Sequence, residues 1–136
     1  MKTNLLRTSL VAVLAAAAAF AQSSTRLQAT VPFDFLVGNK ALPAGDYTVA
    51  GGPAAGTIMI RSADGKKGAI VLAQEVYLMS ARESARLIFH RYGSTYFLSE
   101  VEDYGSVGHK LRPTSREHEM EAKRASPESA VILARK

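Results

Sequence analysis

Cysteine is absent from the 136 residues. No disulfide can staple the fold, no thiolate can serve as nucleophile or metal ligand, and no lipid can be attached through sulfur. A second long apolar run is absent as well. The single run, Leu10 to Phe20, is eleven residues long, short of the roughly 18 to 20 that a membrane-crossing helix needs. No G-x-S-x-G elbow is present to expose an activated serine. The segment His118-Glu119-Met120-Glu121-Ala122 lacks the second histidine that a zincin helix places one turn further on.

What is present begins with an export signal. Lys2 and Arg7 precede the apolar run, and Ala19 and Ala21 flank Phe20 in the A-x-A pattern read by a signal peptidase. The expected cut follows Ala21, so residues 1–21 are a signal peptide and residues 22–136 a single exported domain. Removing 21 residues from 136 leaves 115, enough for one hydrophobic core. The leader holds two of the seventeen basic residues and none of the twelve acids, so the mature chain carries a net charge of +3. That balance, with a pI near 9.7, suits weak attraction to anionic surfaces and falls short of a nucleic-acid footprint. Localisation is expected to be periplasmic or extracellular, with no transmembrane span in the mature chain and no nucleic-acid partner.

The most strongly patterned stretch is Gln28 to Val49. From Leu27 to Val37 the odd positions are apolar and, Leu36 apart, the even ones are not, which is the period-two signature of a strand with one buried face. Pro32 cannot donate to a ladder and marks an edge or a bend. Leu42-Pro43-Ala44-Gly45 has type I turn chemistry, and Asp46 to Ala50 returns as a strand. Thr57 to Arg61 and Gly68 to Leu78 flank an Asp64-Gly65 hairpin signal, while Met79 to Ser84 carries no clear pattern. Ala85 to Tyr92 and Thr95 to Glu102 are joined by Gly93-Ser94, which sets Phe89 opposite Leu98 and His90 opposite Phe97. Asp103 to Arg112 reads as a long loop. Thr114 and Glu117 match a capping box for a charged helix over 115–125, and Ala130 to Ala134 reads as a last strand. About seven short strands with one C-terminal charged helix predict a mainly β fold, an antiparallel sandwich or small barrel.

VPFDFLVGNKALPAGDYTV, LIFHRYGSTYFLSEV and SREHEMEAKRAS follow one another in that order after a signal peptide. The combination resembles a group of small exported acidobacterial-type proteins of unknown function, and the likeness spans nearly all of the mature chain. It implies an exported all-β domain with a charged helix near its C-terminus and brings no catalytic residues. Where members of that group often carry tryptophan after the Glu-Val step, this chain has Glu102.

Several constellations invite chemistry. His90, His109 and His118 with Glu100, Asp103 or Glu119 are the candidates for a metal site, though their spacing does not support one. Glu100, Glu102, Asp103 and His109 are the groups a hydrolase would draw on, with Glu100 and Glu102 on one strand face; a solvated strand end accounts for the carboxylates equally. Arg86, Arg91, Tyr92, Tyr96 and Phe97 on the third hairpin offer a stacking and binding face, to which His109 is added from the following segment. Cross-strand packing of tyrosines with arginine stems is the plainer account of that set. Phe35, Tyr47, Leu87 and Phe89 would line the cavity of a barrel carrying an apolar ligand. The helix 115–125 is either a solvated face laced with ion pairs or a partner-binding surface. The expectation is an exported, non-enzymatic binding or structural module of the cell envelope, without cofactor or metal, whose partner is a glycan, a lipid or an envelope protein. An apolar-ligand carrier and a hydrolase are the alternatives.

Overall fold

The computed structural model describes residues 26–123 and 126–136. The leader 1–21 and its cleavage site lie outside the described residues, as do the last two residues of the helix expected over 115–125. The described chain is mainly β, with ten strands and one short helix: β1 (Leu27–Val31), β2 (Phe35–Val37), β3 (Lys40–Leu42), β4 (Gly45–Gly51), β5 (Thr57–Ser62), β6 (Gly68–Arg82), β7 (Ala85–Tyr92), β8 (Thr95–Glu102), β9 (Gly105–Leu111), α1 (Ser115–Lys123) and β10 (Glu128–Ala134). Among the described residues no helix is long and apolar enough to cross a membrane.

Ten strands replace the expected seven for three local reasons, the first being that Lys40–Leu42, in a stretch that reads as loop and turn, pairs back on Phe35–Val37 as β3. The run from Leu27 to Val37 divides at Pro32 to Asp34, where proline removes a ladder donor, into β1 and β2. The segment Asp103 to Arg112 is mostly not a loop: Gly105 to Leu111 form β9, which pairs with both β6 and β8. Gly105 at φ 90° and Gly108 hid this strand from a reading of composition. Gly108 is required by space, since a Cβ there would come within 3.1 Å of Glu100 Oε1 and 3.4 Å of Val76 and Leu78.

The sheet is mixed. Its neighbour order runs β1-β4-β5-β6-β9-β8-β2-β3, and β7 pairs with β8 on one side and β10 on the other. All pairings are antiparallel except β2 with β8, which meet in parallel at Leu36 and Phe97. The turn between β7 and β8 sets Phe89 opposite Leu98 and His90 opposite Phe97, as the two-residue connection predicts. β7 occupies one edge of β8 along its whole length, so β2 and β9 share the other. The first and last strands also touch: Gln28 N–H donates to Arg135 O at 2.7 Å and Arg135 N–H to Gln28 O at 2.9 Å.

Inward side chains from all ten strands form one core, β3 contributing Leu42. Phe89 is fully buried, and Phe35 meets Tyr47 and Phe89 edge-on at 5.1 and 5.4 Å. Emptying such a site costs about 3–5 kcal/mol for Phe to Ala. Phe35, Tyr47, Leu87 and Phe89, the four side chains expected around a ligand cavity, are packed into this core. All buried apolar residues among those described lie between Leu27 and Ala134, so a chain starting at residue 22 retains every one of them.

Leu98 and Val101 both enter this core although three positions separate them. Strict alternation forbids that. A bulge resolves it: Ile88 faces Glu100 and Phe89 faces Leu98, leaving Ser99 without an opposite residue. On the outer face a second, smaller cluster of Leu36, Tyr92 and Phe97 is covered by Met120 of α1.

Candidate functional site

The outer face of β7 and β8 carries a polar network that sequence patterns did not reveal. α1 starts at a half-formed capping box. The Glu117 N–H donates to Thr114 Oγ1 at 3.2 Å, but the Glu117 carboxylate does not return to the helix start. It reaches the sheet instead, where Oε1 lies 2.9 Å from His90 Nδ1 and accepts a hydrogen bond from Tyr92 OH at 3.3 Å. His90 Nε2 lies 3.1 Å from Ser99 Oγ. With Nδ1 donating to the carboxylate, Nε2 is left to accept the serine hydroxyl. Burial, with the negative charges of Glu117 and Glu121, pushes the Tyr92 phenol up to about 12.

Serine, imidazole and carboxylate are connected here in the order of a nucleophile relay. Access decides what they do. Ser99 is 7% and Glu117 5% exposed, and α1 lies over them. The network satisfies four buried or half-buried polar side chains and fastens α1 to the sheet. Ser99 shares the face of Phe97, which pairs with His90, so the strand register brings the hydroxyl to the imidazole, and only the docking of α1 adds the carboxylate.

The groups put forward from sequence scatter. Arg86 donates from Nε to Glu102 Oε2 at 2.7 Å, and Arg82 Nε lies 3.1 Å from the same atom. Glu102, 3% exposed, is thus a buried acceptor for two guanidiniums. Arg91 sits 5.5 Å over the Tyr96 ring, and Tyr96 stacks on Phe33 at 3.8 Å. Tyr92 is buried beneath α1. His109 lies across from Val101, between the register positions of Glu100 and Glu102, and so leaves the opposite face from theirs. Asp103 Oδ1 accepts from the Tyr104 N–H. The expected binding face of Arg86, Arg91, Tyr92, Tyr96 and His109 is therefore not one surface, and the hydrolase groups do not converge. His118 lies 3.7 Å from Glu121 on the exposed side of α1. Among the described residues no three His, Cys, Asp or Glu side chains converge as a metal site would require.

A different surface concentrates charge. The tip of the β2–β3 hairpin leans on β6, where a Cβ on Gly38 would come within 3.2 Å of Val71 Cγ1 and where φ is +58°. Beside that contact a groove of about 720 Å³ runs between β3 and the β5–β6 hairpin. Val37, Met59, Ile60, Ala69, Ile70 and Val71 line its apolar part, and Lys40, Arg61, Lys66 and Lys67 its polar part. All four cations are exposed, and none has a carboxylate within 4 Å among the described residues. The nearby acid is Asp64, whose carboxylate accepts from Ser62 Oγ at 2.6 Å and Lys66 N–H at 2.9 Å, and is held below its usual range by those bonds. The strands flanking the groove are half-paired: β3 bonds only to β2, and residues 68–72 of β6 only to β5. A second cavity, about 730 Å³, opens at the β1–β10 seam beside Thr30, Asp46 and Arg135.

No protein-family model, no curated protein and no solved structure matches this chain.

Proposed function

We propose that the chain is an exported, non-enzymatic binding module of the cell envelope, built as a small closed barrel and working through its outer surface. Eight strands in the order β1-β4-β5-β6-β9-β8-β7-β10 form the barrel wall, and the two-way Gln28–Arg135 bridge is its closing seam. β2 and β3 lie as a flap on β8. Eight strands leave an interior that side chains can fill, in keeping with the packed aromatic core. With Phe35, Tyr47, Leu87 and Phe89 packed against one another in that core, we place the ligand on the outer surface rather than in the lumen.

The observation that carries this reading is the groove beside β3, where four cations lie around apolar side chains without compensating carboxylates. Folding stability alone gains nothing from gathering like charges. Residues 22–136 should show a higher melting temperature with an anionic ligand than without it, because a ligand that binds only the native state stabilises it. A thermal-shift series over glycans, anionic solutes and lipids tests this. A flat response from every anionic compound would sink the groove as a binding site and leave a purely structural role.

A further inference from the structure

We infer that the groove docks the protein on an anionic phospholipid surface, with the lipid phosphate held among Lys40, Arg61, Lys66 and Lys67; the inference rests on the groove being a binding site. Three features point to lipid rather than to a soluble anion. The cations occur together with apolar wall, which a free phosphate has no use for. On the outward face of the same strand Ile70 is 55% and Leu72 72% exposed, large apolar side chains that water penalises and a headgroup–acyl boundary rewards. All four cations are exposed and line one groove, so that a single anionic surface can meet them together.

Charge complementarity names the lipid. Lys66 and Lys67 lie in the β5–β6 turn, Arg61 precedes it and Lys40 comes from the opposite flap, four positive charges against the single Asp64. Asp64 is engaged by Ser62 and the Lys66 amide, so it shapes the turn and leaves the lysine ammonium groups free. A basic residue near an anionic membrane surface strengthens adsorption by about fivefold, and the effect fades within a Debye length. Ile70 adds an apolar contribution that salt does not screen.

Co-sedimentation of residues 22–136 with vesicles tests the proposal, using phosphatidylglycerol mixed into phosphatidylcholine against phosphatidylcholine alone. Binding is expected only to the mixed vesicles and should weaken as salt is raised. The double variant Lys66→Gln/Lys67→Gln should lose about 25-fold in affinity. Ile70→Ser should lose several-fold at every salt concentration. Both substitutions are at exposed positions, and an unchanged melting temperature confirms that each variant is folded.

Equal binding to both vesicle types would overturn the inference, as would a Lys66/Lys67 double variant that binds like the parent. If inorganic phosphate or glycerophosphate binds as tightly as the vesicles and Ile70→Ser changes nothing, the groove is a site for soluble anions; the lipid inference fails while the binding-module reading stands. If neither vesicles nor any soluble anion binds, both fail.

Discussion

Glu117 and His90, 27 positions apart in the sequence, meet at 2.9 Å between Oε1 and Nδ1 and tie the only helix among the described residues to the sheet. α1 is nine residues long, too short to hold itself in water, and it depends on tertiary contacts. Its hold on the sheet combines this polar contact with Met120 on the Leu36–Tyr92–Phe97 cluster. Glu117→Ala removes the shared acceptor of His90 and Tyr92 at a buried position. A loss of about 2–3 kcal/mol is expected, or roughly 10 °C in melting temperature for a domain of this size. Chemical denaturation checks the first figure, and helix amide exchange shows whether α1 is the part released.

Alkaline pH acts on the same network. Tyr92 has its phenol pushed up to about 12 in the folded protein, against an ordinary value near 10. A folded pKa above the unfolded one means full stability below pH 10 and progressive loss as pH rises through 12, by about 2 kcal/mol. In Tyr92→Phe that part of the alkaline slope should vanish, although the variant starts lower by one hydrogen bond. Tyr47, also raised chiefly by burial, keeps its own contribution. Denaturation midpoints measured from pH 8 to 12 for parent and variant decide the matter, and parallel curves would contradict it.

One bridge, Gln28 with Arg135, joins β1 to the end of β10. Arg135→Pro removes the N–H that donates to Gln28 O at 2.9 Å and cannot be re-satisfied by proline. A cost of about 1–2 kcal/mol is expected. Loss of hydrogen-exchange protection at the Gln28 amide is the direct readout. Freed strand edges also invite edge-to-edge pairing, so a concentration-dependent rise in apparent mass should accompany the substitution.

Glu102 accepts from both Arg82 and Arg86 while almost fully buried. Glu102→Ala leaves two guanidiniums facing each other without a counter-charge. Their side chains remain a quarter to a third exposed, so water recovers part of the loss and about 1–3 kcal/mol remains. Removing an arginine as well should restore part of that stability, and a double-mutant cycle measures how much.

The strand hairpins could be read from local chemistry. Asp64-Gly65 and Gly93-Ser94 set the registers of β5 with β6 and β7 with β8, because a short turn leaves a strand pair little freedom. β9 escaped because its two glycines look like loop residues, although Gly108 is there to make room for Glu100, Val76 and Leu78. The candidate binding residues escaped for a different reason. Arg86, Arg91, Tyr92, Tyr96 and His109 look like one set in sequence, but the pleat sends Arg86 and Tyr92 to one face of the sheet and Arg91, Tyr96 and His109 to the other. The basic groove draws on Lys40 and on Arg61 to Lys67, two stretches that each look like an ordinary polar turn.

By itself the sequence determined the strands with strong alternation, the turns with Gly or Pro chemistry, the start of α1 at Thr114 and the absence of any cross-link. Each of these follows from interactions within a few residues. Only the tertiary structure decided that Glu117 leaves its capping role for His90, that Gln28 meets Arg135, and that Lys40 faces Lys66 and Lys67 across an apolar groove. Those contacts join residues 27, 107 and about 26 positions apart, and at such separations it is the packing of whole strands, not local preference, that chooses the neighbour.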